Sequence, residues 1–278
     1  MRGMTSPYLD DLPPRLQAIG YVPPAEPADC VLDVVTPTCN RPQALLRQAS
    51  LLGPQFGPLD RWIVVDDASQ FETPLPIAGL AQSLPDLRQL LCVSLSYAKG
   101  DLPYGSTLQR ARHAACSLAR PHAWIVEVDD HDFVTPGCLA MIRETICRGA
   151  LFIYGDCVHT TNDGSVLATY QKPDYERWLL RDRECPAEGV RCYPKFLYEA
   201  VGGFRWHGDR EPGGNEWPAG DYGLFLRIEQ FCEGYGFVRI PHVLCSTVKT
   251  AEGISVKYAN EQSGMSAQLR VAAQMGVL

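Results

Sequence analysis

The 278-residue sequence lacks the features by which several large classes of protein are recognised. It has no run of about 18 consecutive apolar residues, the length that a membrane-spanning helix requires. Its first residues, MRGMTSPYLDDLPPRL, contain no apolar core of the kind that a signal peptide needs. It has no C-x-x-C pair, so neither a zinc ribbon nor a thioredoxin-like motif is supported. These absences predict a cytoplasmic protein without a transmembrane segment.

Positive charge is also scarce. The chain has 25 lysines and arginines against 32 aspartates and glutamates, a net charge of −7. This balance argues against a general nucleic-acid-binding protein, which needs clustered positive charge. Of the 25 basic residues, 20 are arginine, whose rigid fork matches phosphate oxygens. Several of the 11 cysteines lie in apolar runs, where cysteine behaves as a small hydrophobic residue, and we expect them to be reduced and structural.

The pattern along the chain alternates short apolar strands with helices. This alternation is typical of the α/β class, with a mostly parallel sheet covered by helices. We expect a proline-rich, extended arm over residues 1–29, one domain over residues 30–250 and a tail over residues 251–278. The predicted strands are residues 30–36, 61–65, 90–95, 124–128 and 151–154, and the predicted helices are residues 43–52, 106–119 and 137–147. From residue 160 onward we expect a second half built onto the same sheet.

Polar clusters directly follow three of the predicted strands, at Thr36–Arg41, Asp66–Ser69 and Asp129–Asp132. Ligands of open α/β sheets bind where the carboxyl ends of the strands meet, so we expect one site there. The last cluster holds three carboxylates and one imidazole within four residues, which is costly without a compensating cation. Oxygen ligands with one imidazole suit Mn²⁺ or Mg²⁺. The alternative for both aspartate clusters is a solvated turn in which a carboxylate caps the next element.

The order of these motifs resembles that of the family 2 inverting glycosyltransferases, which have the GT-A fold. The resemblance covers roughly residues 31–250, and no single motif carries it. The segments concerned are VVTPTCNRP, WIVVDDAS, STLQRARHAA, WIVEVDDHDFVTP, LFIYGDCVHTTNDG, VGGFRWHGD, WPAGDYGLFLRIEQ and GFVRIPHVL. It implies a Rossmann-like nucleotide-binding half with a mostly parallel central sheet and an acceptor-binding half on the same sheet. It also implies metal-dependent transfer of a sugar from a UDP- or dTDP-linked donor to an acceptor hydroxyl.

The resemblance assigns several residues to the donor. Those that would border the nucleobase are Thr36, Pro37 and Thr38. Asp67 would accept the imide N–H of uracil or thymine, since an ionised carboxylate is an obligate acceptor. Arg112 matches the arginine of the family's Ala-Arg-Asn motif and would reach the diphosphate, although His113 replaces the asparagine. The alternative for Arg112 is a solvated helix residue.

The predicted metal motif departs from the family's Asp-x-Asp-Asp pattern. Aligned on the flanking valine and proline, His131 falls where the main metal-binding aspartate would be, so that Asp129 and His131 form an Asp-x-His pair. A shifted register, Asp130-x-Asp132, restores a literal Asp-x-Asp pair. We favour the first register because both flanking anchors agree with it. The predicted ligands of Mn²⁺ or Mg²⁺ are Asp129, His131 and Asp132, with Asp129 and Asp130 also assigned to the donor.

Asp221, in GDYGLFLRI, matches the general base of the family at the start of a helix. An inverting transfer needs one carboxylate near the acceptor hydroxyl, opposite the departing nucleotide. The alternative is that Asp221 only caps the helix. In the loop before it, the candidate acceptor contacts are Trp206, His207 and Trp217, since aromatic faces stack on sugar rings, with ordinary packing as the alternative. Lys249 would act on the donor electrostatically, where relatives often carry a late His or Arg.

Two other functions are compatible with the sequence. A nucleotidyltransferase on a related sheet would release pyrophosphate, but no glycine-rich loop bearing Arg and Lys follows the first strand. A nucleotide-sugar-binding module that has lost activity would account for the altered metal motif. The expected partners are a nucleotide-diphosphate sugar and a hydroxyl-bearing acceptor that the residues do not identify. A homo-oligomer is also compatible with the sequence.

Overall fold

The computed structural model describes residues 12–70, 74–84, 86–96, 106–176, 189–204 and 220–249. In these segments nine strands form one sheet. The strands are β1 (Leu32–Thr38), β2 (Arg61–Asp66), β3 (Leu90–Ser94), β4 (Trp124–Glu127), β5 (Asp132–Val134), β6 (Phe152–Thr160), β7 (Val166–Tyr170), β8 (Arg191–Pro194) and β9 (Phe237–Val248). Their order is β3-β2-β1-β4-β8-β6-β9-β5, and β7 pairs with β6 outside this path.

The helices precede or separate these strands, and the three helices predicted at residues 43–52, 106–119 and 137–147 are present close to those positions. They are α1 (Pro14–Ala18), α2 (Pro42–Leu52), α3 (Ile77–Gln82), α4 (Ser106–Ser117), α5 (Cys138–Cys147), α6 (Lys195–Ala200) and α7 (Gly220–Cys232). Helix α2 begins with Pro42, whose fixed φ suits the first helical position, and buries Leu45, Ala49 and Leu52 on one face. After it, a Cβ atom on Gly53 would lie 1.9 Å from the Ser83 carbonyl oxygen, so glycine permits the close approach of the chain after α3.

The first half of the sheet is parallel. Strands β3, β2, β1 and β4 are parallel neighbours, and every residue of β1 and β4 is buried. Continuous burial of this kind is typical of parallel strands covered on both faces. The ends of β1, β2 and β4 therefore meet at one edge, which we name the carboxyl edge, and their beginnings meet at the opposite edge, the amino edge. The predicted α/β class and its parallel sheet are confirmed.

The second half continues the same sheet with mixed pairing, as predicted. Strand β8 lies between β4 and β6 and is antiparallel to both, while β6 and β9 are parallel. Strand β6 continues to Thr160, beyond its predicted end at Tyr154, because it pairs with both β9 and β7. Strand β5 follows β4 closely in the chain but pairs with β9, with Asp132 opposite Thr247. The acidic cluster between β4 and β5 therefore links the two halves.

Part of the proline-rich arm is helical rather than extended. Pro14–Ala18 form α1, and Leu16 is fully buried. Helix α1 contacts α7, so burial of Leu16 fixes this segment on the domain.

The ten described cysteines are free, in agreement with the expected reduced and structural role. Burial raises the pKa of the thiols of Cys30, Cys138 and Cys232 to about 12, so they are protonated and unreactive at neutral pH. No helix in the described segments has both the length and the apolar character needed to cross a membrane.

The amino edge is closed by buried ion pairs. Asp33, at the beginning of β1, is fully buried and accepts hydrogen bonds from Arg61 and Arg120 at 3.1 and 2.5 Å. Asp60, directly before β2, accepts from the amides of Gly57 and Leu32 and from the Arg143 guanidinium. These pairs attach helices and loops to the starts of the parallel strands.

Candidate active site

The three polar clusters predicted from the sequence come together at the carboxyl edge. The amide of Asp67 donates to the Thr38 carbonyl at 2.7 Å, which joins the ends of β2 and β1. The Thr38 hydroxyl donates to Asp130 Oδ2 at 2.9 Å, which joins β1 to the acidic cluster after β4. These contacts form because the parallel strands bring their carboxyl ends to one edge, so the three polar clusters lie together there, as a common site requires.

The turn after β1 contributes a basic side chain that the sequence argument did not assign. Arg41 Nη1 donates to Asp130 Oδ1 at 2.8 Å and lies 3.4 Å from His131 Nδ1. The Arg41 side chain is 46% exposed, so its guanidinium lies at the mouth of the site. The preceding Asn40 has a φ of 56°, a left-handed conformation that asparagine tolerates better than most residues. Arg41 lies inside the motif VVTPTCNRP, but only the fold shows that it reaches the acidic cluster.

The two aspartates after β2 have different surroundings. The carboxylate of Asp66 accepts from the hydroxyl and the amide of Ser69 and so closes its own turn. Asp67 is the second of the pair and is also buried. Because its carboxylate closes its own turn, Asp66 is a poor candidate for ligand recognition, and the role of Asp67 at the nucleobase stays a prediction.

Asp129 and Arg112 form the shortest ion pair of the carboxyl edge, with Nη2 and Oδ2 2.5 Å apart. Arg112 is buried, which excludes the alternative of a solvated helix residue. Burial on its own would raise the pKa of Asp129, but Arg112 and Arg191 hold it below its ordinary value. The second oxygen, Asp129 Oδ1, is buried and has no hydrogen-bond donor among the described residues. It is a charged acceptor with unused capacity.

The rest of the acidic cluster is held by β9. Thr247 donates to Asp132 Oδ1 at 2.5 Å, and the Val248 amide donates to the His131 carbonyl at 3.0 Å. Burial alone would lower the pKa of His131, but a hydrogen bond to Asp130 and the surrounding carboxylates raise it to about 9. The imidazolium therefore offsets part of the negative charge at neutral pH. In the part of the chain that the structure describes, no three His, Cys, Asp or Glu side chains are grouped as a ready metal site.

Asp221 lies at the start of α7, facing two arginines. Its Oδ2 atom is 3.4 Å from Arg112 Nη1 and 3.4 Å from Arg191 Nη1, and its Oδ1 accepts from the Tyr222 amide at 2.9 Å. The side chain is 29% exposed, whereas both arginine side chains are buried. Since Arg112 contacts Asp129 and Asp221 together, the structure joins the predicted donor side and the predicted base through one guanidinium.

Arg191 and Glu127 are part of this site and were not found from the sequence. They lie opposite each other in the antiparallel pair β8 and β4, and Arg191 Nη2 donates to Glu127 Oε2 at 3.2 Å. Tyr193 donates to the other oxygen, Oε1, at 2.5 Å. The adjacency of Glu127 to the acidic cluster was a signal in the sequence, but the pairing with β8 was not.

Other predicted residues lie beside the site or outside the described residues. Thr36 is fully buried and its hydroxyl accepts from the Trp62 indole at 3.0 Å, so the structure places it in the core below the turn. Pro37 is buried in β1 next to Thr38. Lys249 follows β9, with its amide bonded to the Thr160 carbonyl at 2.9 Å, directly after the residue that binds the acidic segment. The candidate acceptor contacts, which lie outside the described residues, are Trp206, His207 and Trp217.

Comparison with protein families gives a match over most of the domain. Residues 33–198 match the family model described as "Glycosyl transferase family 2", which is more than half of the chain. No curated protein matches the sequence.

Three solved structures of similar fold, each from a different organism, illustrate the likeness. S. aureus TarS 1–349 in complex with UDP-GlcNAc has a TM-score of 0.60 and 16% identity, covering 81% of this chain and 60% of that one. Mannosyltransferase PcManGT from Pyrobaculum calidifontis, in complex with GDP-Man and Mn²⁺, has a TM-score of 0.54 and 17% identity, covering 95% and 77%. Glucosyl-3-phosphoglycerate synthase from Mycobacterium tuberculosis, in complex with Mn²⁺, UDP and glucosyl-3-phosphoglycerate, has a TM-score of 0.53 and 15% identity, covering 90% and 82%.

These identities are low, so the likeness concerns the fold, and the predicted GT-A fold is confirmed. Another TarS structure is matched over 42% of its length, so the chain corresponds to less than half of that protein.

Proposed function

The chain belongs to glycosyl transferase family 2, as its motifs predicted, and from this membership we propose that it catalyses an inverting transfer of a sugar from a nucleotide-diphosphate donor to an acceptor hydroxyl. The observation that carries the proposal is the link from Asp129 through Arg112 to Asp221. It puts one partly exposed carboxylate beside the edge where the donor would bind. Inverting transfer requires this arrangement of a donor-binding edge and a single base.

The donor is proposed to be a UDP- or dTDP-linked sugar. Asp67 would accept the imide N–H of the base, next to the turn that holds Thr38. Proteins of similar fold have been solved with UDP-GlcNAc and with UDP, which supports a uracil base, whereas the mannosyltransferase contains GDP-Man. Arg112 would bind the diphosphate from the buried side and Lys249 from the end of β9. The acceptor would approach from the side of Asp221.

A divalent cation, Mn²⁺ or Mg²⁺, fits the ligand atoms that Asp129 and His131 provide. Asp129 Oδ1 is a buried carboxylate oxygen to which no described residue donates, and a hard cation takes such an oxygen readily. His131 is 36% exposed in its side chain and would add a ring nitrogen after losing its proton. When bound, the cation would neutralise charge on the departing diphosphate. Two of the similar structures contain Mn²⁺.

The alternative register, Asp130 with Asp132, agrees less well with the hydrogen bonds. Both oxygens of Asp130 accept hydrogen bonds, from Thr38 and Arg41. Asp132 is buried and accepts from Thr247. Binding a cation through this pair would break contacts that hold the cluster together. We therefore assign Asp129 and His131 as the protein ligands and Asp132 as a buried neighbour that supports them.

Asp221 is proposed as the general base. Its carboxylate would accept the proton of the acceptor hydroxyl as that oxygen attacks the anomeric carbon. The bond from the anomeric carbon to the diphosphate breaks in the same step, so the configuration inverts and the nucleoside diphosphate leaves.

A donor-hydrolysis screen tests this function, because slow hydrolysis needs no acceptor. UDP-, dTDP- and GDP-sugars are incubated with the enzyme and Mn²⁺ or Mg²⁺, and release of the nucleoside diphosphate is measured. We expect turnover with a UDP- or dTDP-sugar, and a loss of about 10³-fold in the Asp221→Asn variant with unchanged UDP affinity. Asp86→Asn, which removes an exposed carboxylate paired with Arg88, is the matched control and should retain full turnover.

Turnover of the Asp221→Asn variant equal to that of the wild type would exclude Asp221 as the base. A wild type that is neither stabilised by these nucleotides nor active on any donor would overturn the proposed function. The rival function is an inactive nucleotide-sugar-binding module, which the missing three-residue metal cluster among the described residues favours. Tight UDP binding without hydrolysis of any donor would support that rival.

A further inference from the structure

We propose that Arg191 is a positioning residue for the base, because its guanidinium joins the Asp221 carboxylate to the buried Glu127. The inference rests on the proposed role of Asp221 in the transfer. Arg191 would not contact the reacting atoms. It would hold the Asp221 carboxylate in one orientation while the acceptor binds.

The position of Arg191 is fixed by sheet register. Arg191 opens β8, directly opposite Glu127, the last residue of β4. Opposite residues in an antiparallel pair project from the same face of the sheet, so their side chains meet. Since β4 leads directly into Asp129, this pairing attaches Arg191 to the strand that delivers the predicted metal ligand. A shift of the register by one residue would turn Arg191 to the other face.

Three contacts restrain the guanidinium. Arg191 Nη2 donates to Glu127 Oε2 at 3.2 Å, and Nη1 lies 3.4 Å from Asp221 Oδ2. The guanidinium carbon also lies 5.3 Å from the centroid of the Phe225 ring, within reach of a cation–π interaction. Phe225 is one turn along α7 from Asp221, so Arg191 contacts the helix of the base at two points. With a side chain only 4% exposed, it has little freedom to leave them.

Glu127 is a fixed anchor for Arg191. Its side chain is 2% exposed, and its second oxygen accepts from Tyr193 at 2.5 Å. A buried carboxylate with a donor on each oxygen is held in one rotamer. A chain of contacts therefore runs from Tyr193 through Glu127 and Arg191 to Asp221. The first three residues are buried, and only Asp221 is partly exposed to solvent.

Arg112 makes a similar contact with Asp221 but has a different second partner. Arg112 binds Asp129 on the donor side. There, a cation would compete with Arg112 for the Asp129 carboxylate, and a diphosphate would compete with Asp129 for the Arg112 guanidinium. Arg191 instead binds Glu127, which is buried beneath the site. Arg191 would therefore stay with Asp221 throughout a catalytic cycle, while the contact of Arg112 with Asp221 would depend on whether the donor is bound.

Charge supports the same role. The five groups comprise two guanidiniums, Arg112 and Arg191, and three carboxylates, Glu127, Asp129 and Asp221. Removing the charge of Arg191 would leave Asp221 beside two buried carboxylates with one cation between them. Like charges at this range favour the protonated form of a carboxyl group, and a protonated Asp221 cannot accept a proton.

The test compares Arg191→Gln and Arg191→Lys with Arg61→Gln, a control that removes an ion-pairing arginine at the amino edge. The titration of Asp221 is followed by ¹³C NMR of protein labelled at the aspartate carboxyl carbons, with Asp221→Asn identifying its signal. In Arg191→Gln we expect the midpoint for Asp221 to rise by about one pH unit or more. We expect kcat to fall about 100-fold, with the acid limb of its pH profile moving upward and the donor KM nearly unchanged.

Arg191→Lys keeps the charge but loses the fork that joins two carboxylates. Its Asp221 midpoint should stay near that of the wild type while kcat falls about tenfold. Arg61→Gln should match the wild type in midpoint and kcat. An Asp221 midpoint in Arg191→Gln equal to that of the wild type would overturn the proposal. If Arg191→Gln does not fold, a wild-type kcat in Arg191→Lys would overturn it instead. A wild type without transferase activity would reject the proposed function, while the NMR titration would still decide the role of Arg191.

Discussion

The two edges of the parallel half hold buried carboxylates in opposite ways. At the amino edge, Asp33 accepts from Arg61 and from the amide, Nε and Nη2 of Arg120, so that both oxygens are satisfied by several donors. At the carboxyl edge, Asp129 has one short contact with Arg112, and its other oxygen has no donor within the described segments. The same sheet thus carries a saturated ion cluster at one end and an incomplete one at the other.

This difference separates structural charge from functional charge. Buried polar atoms in folded proteins are almost always hydrogen-bonded, so an exception requires an explanation. The Asp33 cluster needs nothing more, and its role is to attach β1, β2 and the segment after α4 to one another. Under the proposed function, a cation with a diphosphate would complete the Asp129 cluster. The comparison predicts that replacing Asp33 will mainly lower the stability of the fold, whereas replacing Asp129 will mainly weaken the binding of the cation.

The largest expected effect is at the amino edge. Asp33→Asn leaves two arginines facing an uncharged side chain in a buried position, and breaking such a pair costs about 3 kcal/mol. Urea unfolding followed by circular dichroism measures this loss. The folded fraction of the variant should bind UDP as the wild type does. A variant that is as stable as the wild type would show that the saturated cluster contributes no stability.

The matched substitution at the carboxyl edge is Asp129→Asn. It removes a charge that Arg112 and Arg191 stabilise, but Arg112 keeps Asp221 as a second partner, so we expect a loss of stability of about 2 kcal/mol, smaller than that at Asp33. Affinity for Mn²⁺, measured by calorimetry in the presence of UDP, should fall about 100-fold, which corresponds to about 2.7 kcal/mol. The comparison would break if Asp129→Asn lost as much stability as Asp33→Asn while keeping its metal affinity.

A smaller, pH-dependent effect is expected at a third carboxylate. Asp156, in β6, is bound by Arg239 through Nε and Nη2 at 2.9 and 2.8 Å. Burial on its own would raise the pKa of Asp156, but these hydrogen bonds and the Lys172 amide lower it. A lowered folded-state pKa gives stability that is present above the unfolded value of about 3.9 and is lost as the pH falls through the folded value.

We therefore expect Asp156→Asn to be about 1 kcal/mol less stable than the wild type at pH 7. The difference should shrink as the pH falls below about 4, when the wild-type carboxyl group becomes protonated. Urea unfolding of both proteins between pH 3 and pH 7 measures it. A difference that stays constant over this range would show that Asp156 does not act through its charge.

The sequence predicts this molecule well wherever the signal is local. The parallel strands follow from short apolar runs, and Asp67, Asp129 and Asp221 follow from motifs a few residues long. Arg191 could not be predicted in this way, because it lies 64 residues from Glu127 and the two meet only through the pairing of β8 with β4. Thr247, which holds Asp132, is 115 residues away from it.

The burial of individual side chains could not be predicted from the sequence either. Thr36 belongs to the same polar turn as Thr38, yet its hydroxyl binds Trp62 in the core while that of Thr38 reaches Asp130. Residues two apart in a strand face the same side, so the strand pattern alone does not separate Thr36 from Thr38. Helix α1 was missed for a similar reason, since its stability comes from the burial of Leu16 rather than from helical propensity.

The four-residue strand β8 also has a consequence for how the chain folds during synthesis. Strands β1 to β7 leave the ribosome before β8, and the side of β4 that faces the second half has no partner until Arg191–Pro194 emerge. Pairings over such sequence separations form slowly, and an open strand edge in the meantime favours aggregation. When β8 inserts between β4 and β6, it joins the two halves and brings Arg191 to Glu127 in one step, and β9 completes the sheet later. A nascent chain that stalls before this point would carry the nucleotide-binding strands but no assembled base, so catalytic competence would report on completion of the sheet.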